Sequence, residues 1–383
     1  MNHLKPCRNQ PSMKCNTAAP EQRQYQRGLT LIELMISMVL GLVIVGGVLS
    51  IFVSTSQTAK VNDNLMRIQE NARTAFDLMA RDLREAGQNP CGSKSVANVL
   101  RSSGAIPVWA DWNSGTLRGY DNTQDETGIK AFGTTTNARV SGTDAVLVMR
   151  ADQDEKTIDI HDIATTLITL TSASGFQEND IALVCDSLSS AIFQLYDASP
   201  HSGAGKGKNL DHKADVTNMN CSNFLGATPP FATCPTVAKK FAPTPATPEP
   251  GFVAKLYSSF WYIGKSESGQ RSLYRSTITR SGTGGKTIIM SPDEMIPGVQ
   301  DLQITYLTRN GTTGILASDW VAATAVTNWP DDNATAQVVA VRIDLTLQTT
   351  DNVSTSQTPI QRHLIHVVGL RNRDTFIEPP PPP

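Results

Sequence analysis

One carboxylate interrupts the longest apolar run in this sequence: Glu33 lies within residues 29–53, LTLIELMISMVLGLVIVGGVLSIFV, which carry no other charge. A carboxylate inside a membrane-crossing segment costs about 2.5–3.5 kcal/mol on insertion scales, so Glu33 needs a partner or a shallow position. Two kinds of chemistry suit it. Thr30 stands three residues earlier, so Thr30-x-x-Glu33 reads as a capping box at a helix start, where the dipole also favours an acid. Alternatively, the carboxylate pairs with the free α-amine of a neighbouring subunit, an amine that exists only if the chain is cut after Gly28.

Other residues with chemical potential are weaker candidates. Of six cysteines, Cys7 and Cys15 precede Gly28, while Cys91, Cys185, Cys221 and Cys234 follow it, with no C-x-x-C pair among the four. Disulfides in an oxidising compartment suit this pattern better than zinc. Three connectivities are open. The favoured one joins Cys91 to Cys185, tying a helix end to a core strand, and Cys221 to Cys234, which are close in sequence. Residues 281–287, SGTGGKT, imitate a phosphate loop, but Arg280 stands where the Walker pattern needs glycine, and Ile288-Ile289-Met290 is strand-like rather than helical. A hairpin turn is the expectation. Asp152, Asp154, Glu155, Asp159 and Asp162 lack the EF-hand glycine and terminal glutamate and contain Lys156, so they read as a solvated loop and strand edge. Asp331-Asp332-Asn333 reads as a turn. His363 and His366 would face opposite sides of a strand, and His161, His201 and His212 read as loop residues in polar stretches. Neither a G-x-S-x-G elbow nor H-E-x-x-H is present, so no enzyme, cofactor or metal is expected.

The elements that must carry these residues follow from composition and periodicity. With 383 residues, 39% hydrophobic and 18% charged, the chain has the make-up of a folded protein rather than a disordered one. Residues 1–28 carry Lys5, Arg8, Lys14, Arg23 and Arg27 against Glu21 alone. Their loss would leave 28 basic and 34 acidic residues, near −6, which disfavours a nucleic-acid partner. The basic stretch predicts a cytoplasmic N-terminus and an outer face for everything beyond residue 54. A helix over residues 29–54 would span roughly 37 Å, enough to cross a bilayer.

That helix is expected to continue over 55–88 as an amphipathic half. Its stripe is Leu65, Ile68, Ala72, Ala75, Phe76, Met79 and Leu83, with Gly87 and Pro90 ending it. Beyond it, 89–375 reads as a β-rich domain with strands near 144–150, 181–185, 191–196, 258–263, 272–276, 300–308, 337–347 and 363–370. A long insertion occupies about 198–250, pinned by Cys221–Cys234, and a proline-rich tail follows at 376–383. The class is α+β, one long N-terminal helix packed on a mostly antiparallel sheet.

Residues 27–35, RGLTLIELM, resemble the cleavage and methylation signal of type IV prepilins and pseudopilins, with Leu29 standing where phenylalanine is commonest. The resemblance implies that a prepilin peptidase cuts between Gly28 and Leu29 and methylates the Leu29 amine. It also favours the intersubunit role of Glu33 over simple capping. The segments LMARDLREAGQNPCG, DAVLVMR, ENDIALVCDSLSSAIFQLY, FWYIGKSESGQRSLYR, MIPGVQDLQITYLTRNG and VVGLRNR resemble, in order, the PilW-type minor pilins. By that resemblance the chain joins type IV pili with the major pilin, other minor pilins and a large tip adhesin. It would be held first in the inner membrane as a single pass and later be extracellular, supporting pilus biogenesis, twitching motility and adhesion. The same resemblance supports the Cys91–Cys185 pairing. A minor pseudopilin of type II secretion and a DNA-binding module for uptake are the alternatives.

Overall fold

The computed structural model describes residues 28–92, 96–102, 104–197, 207–226, 233–245, 248–282, 287–330, 336–349, 352 and 358–373. The leader with Cys7 and Cys15, His201, the Asp331-Asp332-Asn333 turn, the tip of the 281–287 loop and the proline tail lie outside the described residues.

A single long helix, α1 (Leu31–Arg84), carries the N-terminal sequence, and the chain divides into two compact units, Met1–Ala59 and Lys60–Pro383. In the first unit the helix is exposed on all sides: Ile32, Met38, Leu42, Ile44, Leu49 and Phe52 all keep more than half of their surface open. This follows from residues 34–53, which apart from Ser37, Ser50 and three glycines are apolar and so have no continuous polar face to turn outward.

The second unit begins in the amphipathic part of α1. Ile68, Ala72, Ala75, Met79, Leu83 and Ala86 recur at steps of three and four and are all buried. Fourteen strands follow among the described residues: β1 (Val96–Asn98), β2 (Leu117–Tyr120), β3 (Ala145–Ala151), β4 (Lys156–Asp162), β5 (Leu167–Leu170), β6 (Ile181–Cys185), β7 (Ser190–Gln194), β8 (Asn209–Asp211), β9 (Phe252–Lys265), β10 (Arg271–Ser281), β11 (Thr287–Pro297), β12 (Val299–Arg309), β13 (Gln337–Gln348) and β14 (Gln361–Gly369). All pairings are antiparallel except β1 with β7. The class is α+β as expected, but the strands form two sheets, of eleven and three strands, where the sequence suggested one.

β9 is the spine of the larger sheet. Its first residues pair with β4 and β6, and the remainder pairs with β3 and β10, so one 14-residue strand serves two sets of neighbours. The helix stripe shares one core with Val146 and Val148 of β3, Trp261 and Ile263 of β9, and Ile304, Tyr306, Val341, Ile343 and Leu345 of the smaller sheet. Gly119 lies so close to the Tyr306 ring that a β-carbon there would collide with it.

Asp82 is the buried charge of this interface. Its Oδ2 accepts from Trp261 Nε1 at 2.8 Å and from Ser259 Oγ at 3.1 Å, both on β9. α1 ends at Arg84 rather than at 88. Ala86 N–H bonds Leu83 O at 3.2 Å, tightening the last turn, and Gly87 adopts φ +75°, where glycine is unstrained. Gly87 N–H then donates to Met149 O of β3 at 2.9 Å, and Cys91 is bonded to Cys185 at the end of β6. Cys221 and Cys234 form the second disulfide.

Two outcomes test this reading. Asp82→Ala strands two buried donors and should lower unfolding stability by about 2–4 kcal/mol, whereas Asp77→Ala should stay within about 0.5 kcal/mol. Asp77 is 75% exposed in its side chain and sits 3.9 Å from Arg73. Denaturant unfolding of both variants in detergent makes the comparison. Replacing Cys91 and Cys185 by serine should cost about 2–5 kcal/mol, more than the same change at Cys221 and Cys234. The loops closed differ, with sequence separations of 94 and 13 residues.

Candidate functional site

The N-terminal residues form a helix start with a free acid. Thr30 precedes the first helical residue, its Oγ1 accepts from Glu33 N–H at 3.3 Å, and its carbonyl accepts from Leu34 N–H at 3.1 Å. Half of a capping box is therefore made. The Glu33 side chain forms no hydrogen bond or ion pair among the described residues, while its carbonyl accepts from Ser37 Oγ at 2.7 Å. Leu29 is exposed. A β-carbon added at Gly28 would meet nothing within 4 Å, and the same is true of Gly41, Gly46 and Gly47. Packing within the chain thus places no demand for glycine at 28. The helix is long and apolar enough to cross a membrane, and none of its most apolar 18-residue window is buried.

The remaining sequence candidates disperse. Ser281 and Thr287 face each other across the β10–β11 hairpin, with Ile288–Met290 in β11, so strands rather than a helix flank the glycine-rich loop. Asp159 and Asp162 lie on β4, Asp154 pairs with Lys156, and Asp162 accepts from Thr165 Oγ1 at 2.7 Å. His363 Nε2 contacts Asp344 Oδ1 at 2.7 Å, whereas His366 turns toward the helix and stacks on Phe76. Among the described residues, no three His, Cys, Asp or Glu side chains converge as a metal site.

His161 and His212 depart from expectation. They are not loop residues in polar surroundings but a buried pair, His161 on β4 and His212 just beyond β8, with Nε2 atoms 3.0 Å apart. Phe241 N–H donates to His161 Nδ1 at 3.2 Å, so that nitrogen carries no proton and His161 Nε2–H donates to His212. His212 Nδ1 has no hydrogen-bond partner. Burial lowers both imidazoles, His161 to about 4 and His212 to about 3; Lys240 pushes the first down further and His161 the second. Phe193, Phe241, Leu210 and Leu225 are also buried here, so the described part of 198–250 contributes side chains to a core. The pairing joins residues 51 positions apart, which no local pattern reveals.

Residues 260–368 match the family model described as Type IV Pilus-assembly protein W, and residues 23–49 match the prokaryotic N-terminal methylation motif. The first match runs from within β9 to within β14, and the second covers Gly28, Leu29, Thr30 and Glu33. No curated protein and no solved structure matches the chain.

The histidine pair generates a pH prediction. Below 6.5 the unfolded chain protonates both imidazoles while the folded chain leaves them neutral, so their contribution is full above 6.5 and is lost as pH falls toward 4. Asp144 acts in the opposite sense. Burial raises its pKa to about 6, so the folded chain keeps a proton there that the unfolded chain loses near 3.8. Asp344, also raised by burial, acts in the same sense as Asp144. The depression of the two imidazoles is the larger effect, so net destabilisation is expected between pH 6.5 and 4. A His161→Phe/His212→Phe variant should unfold with a flatter pH dependence over that interval in denaturant titrations.

Proposed function

We propose that the chain is a type IV pilin of the PilW family, a minor subunit that primes or joins type IV pilus assembly; the two matched regions support this reading. A prepilin peptidase cuts between Gly28 and Leu29 and methylates the Leu29 amine. Before assembly the mature chain is anchored in the inner membrane by its apolar helix as a single pass, with the leader on the cytoplasmic side. The same helix then packs among those of the major pilin and other minor pilins, and a large adhesin is a further partner at the tip. Twitching motility and adhesion follow from the assembled fibre.

The observation that carries this reading is the pairing of an open Gly28–Leu29 boundary with a free Glu33 carboxylate at the start of an uncovered apolar helix. Thr30 already satisfies the Glu33 N–H, so the cap does not consume the acid. In an apolar environment an unpaired carboxylate is costly, and a neighbour's α-ammonium is a partner of opposite charge and suitable size. Glycine at 28 meets no steric need inside the chain, which is consistent with a requirement set by an enzyme that reads it.

Mass spectrometry of the mature N-terminus, with and without the peptidase, tests the cleavage. The expected product begins at methylated Leu29; an intact leader, or a cut elsewhere, overturns the reading. Glu33→Ala should leave the exported domain folded and its disulfides formed while incorporation into sheared pili falls by about tenfold or more, the scale of one lost charge pair. Normal incorporation would return Glu33 to capping alone.

A further inference from the structure

Where the end of α1 meets the last described residues, a cavity of about 460 Å³ is lined by Arg81, Arg84, Glu85, Gln88, Gln153, Arg371 and Asn372, all polar or charged. The one carboxylate among the described lining residues is already engaged. Glu85 Oε2 lies 3.0 Å from Arg150 Nε, and Glu85 Oε1 accepts from Gln153 Nε2 at 3.0 Å. Arg150 is itself largely buried and stacks over the Tyr257 ring at 4.2 Å, so this carboxylate balances an interior cation. Arg81 reaches Glu85 only at 3.6 Å, with 68% of its side chain exposed. Among the described residues Arg84 and Arg371 make no ion pair or hydrogen bond. Among the described lining residues, three guanidiniums therefore share the cavity with one acid, which is held by a fourth.

These cations are presented by anchored backbone. Arg84 closes α1, two residues from Asp82 and its two hydrogen bonds to β9. Arg371 lies between Leu370, whose N–H bonds Val339 O at 2.9 Å, and Asn372, whose Nδ2 donates to Ala86 O at 3.1 Å. The helix dipole favours cations at this C-terminus, and Arg371 is brought to it from another part of the chain.

We propose that this cavity is a docking site for an acidic segment of a partner protein, with Arg84 and Arg371 each taking a carboxylate. Guanidinium forks bind carboxylates bidentately, and their positions on anchored backbone reduce the ordering cost. The space is roughly fifteen times the ~30 Å³ that one water occupies, which suits a segment with several carboxylates better than one compact oxyanion. None of the described lining residues is aromatic, so they offer a single-stranded nucleic acid no stacking platform. The site lies outside the N-terminal helix start, and the proposal stands or falls independently of the assembly role assigned to Glu33.

The test uses the full chain in nonionic detergent, with a blocked tetraglutamate peptide as probe and inorganic phosphate and a single-stranded oligonucleotide as separate arms. Isothermal titration should show peptide binding that weakens with added salt. Arg84→Gln/Arg371→Gln should lose at least about tenfold in affinity while keeping the disulfides and the unfolding midpoint, and Arg84→Lys/Arg371→Lys should recover part of the loss. If the glutamine variant fails to fold, the lysine variant with Arg81→Gln supplies the same comparison. Absence of peptide binding at low salt overturns the proposal, as does unchanged affinity in the double variant. Tighter binding of phosphate or of the oligonucleotide than of the peptide overturns the assignment of the occupant.

Discussion

The carboxylate of Asp82 fixes the helix to the sheet, and the geometry of the following ten residues depends on that. A buried charge is tolerated only where its lone pairs meet donors, and here Trp261 and Ser259 of β9 supply both. The pair of bonds specifies the rotation of α1 about its axis as well as its height along the strand. Apolar packing alone, with alanines at 72, 75, 80 and 86 in the stripe, would tolerate small slips more readily. Once Asp82 is placed, Glu85 meets Arg150, Gly87 N–H meets Met149 O, and Cys91 meets Cys185. The contiguous segment from 82 to 91 thereby touches β9, β3 and β6 in turn, and Ala86 receives Asn372 from the far end of the described chain.

The two parts of α1 obey opposite rules. From Ile68 onward a stripe of small and medium apolar residues is covered by the sheets, and the polar face carries Arg67–Asp63 and Arg73–Asp77 pairs that contribute little to stability. Over residues 34–53 the helix is apolar around its circumference apart from Ser37 and Ser50, and its side chains are exposed. Such a surface requires a lipid or protein environment, since water would oppose every exposed Leu, Ile and Val.

Much of this was legible in the sequence, and the misses have identifiable causes. The contiguous apolar run of Ile181–Cys185 and the apolar–polar alternation within Gln337–Gln348 announce themselves. β9 extends beyond the expected 258–263 at both ends, beginning at Phe252 and running to Lys265; Ser258 and Ser259 are buried within it, and Ser259 is committed to Asp82. β4 was hidden by its acids, since Lys156–Asp162 alternates too weakly to distinguish a strand from a solvated loop. Asp82 carried a usable signal, because it occupies a position three beyond Met79 and four before Ala86, on the buried stripe. A charge at such a position predicts a buried partner, although not which one. The His161–His212 contact and the anchoring of Arg371 beside α1 have no local signature, because both depend on how distant strands close the fold.

The helix start reconciles two readings that the sequence set against each other. Capping and intersubunit pairing both require Glu33 at the third helical position, yet they use different atoms. Thr30 Oγ1 takes the backbone N–H of Glu33, a bond that the helix needs in any solvent, and the carboxylate is left over. Because the cap is made by threonine, the acid is not required for the helix to begin, and its cost in an apolar environment needs another justification. An amine created by the proposed cleavage at Gly28–Leu29 would supply one: with residues 1–28 attached the nitrogen of Leu29 is an uncharged amide, and after such a cut it would be a cation. In the proposed assembly the leader thus controls a charge as well as an address, and an uncut chain presents neither a cation at Leu29 nor a complete partner for a neighbour's Glu33.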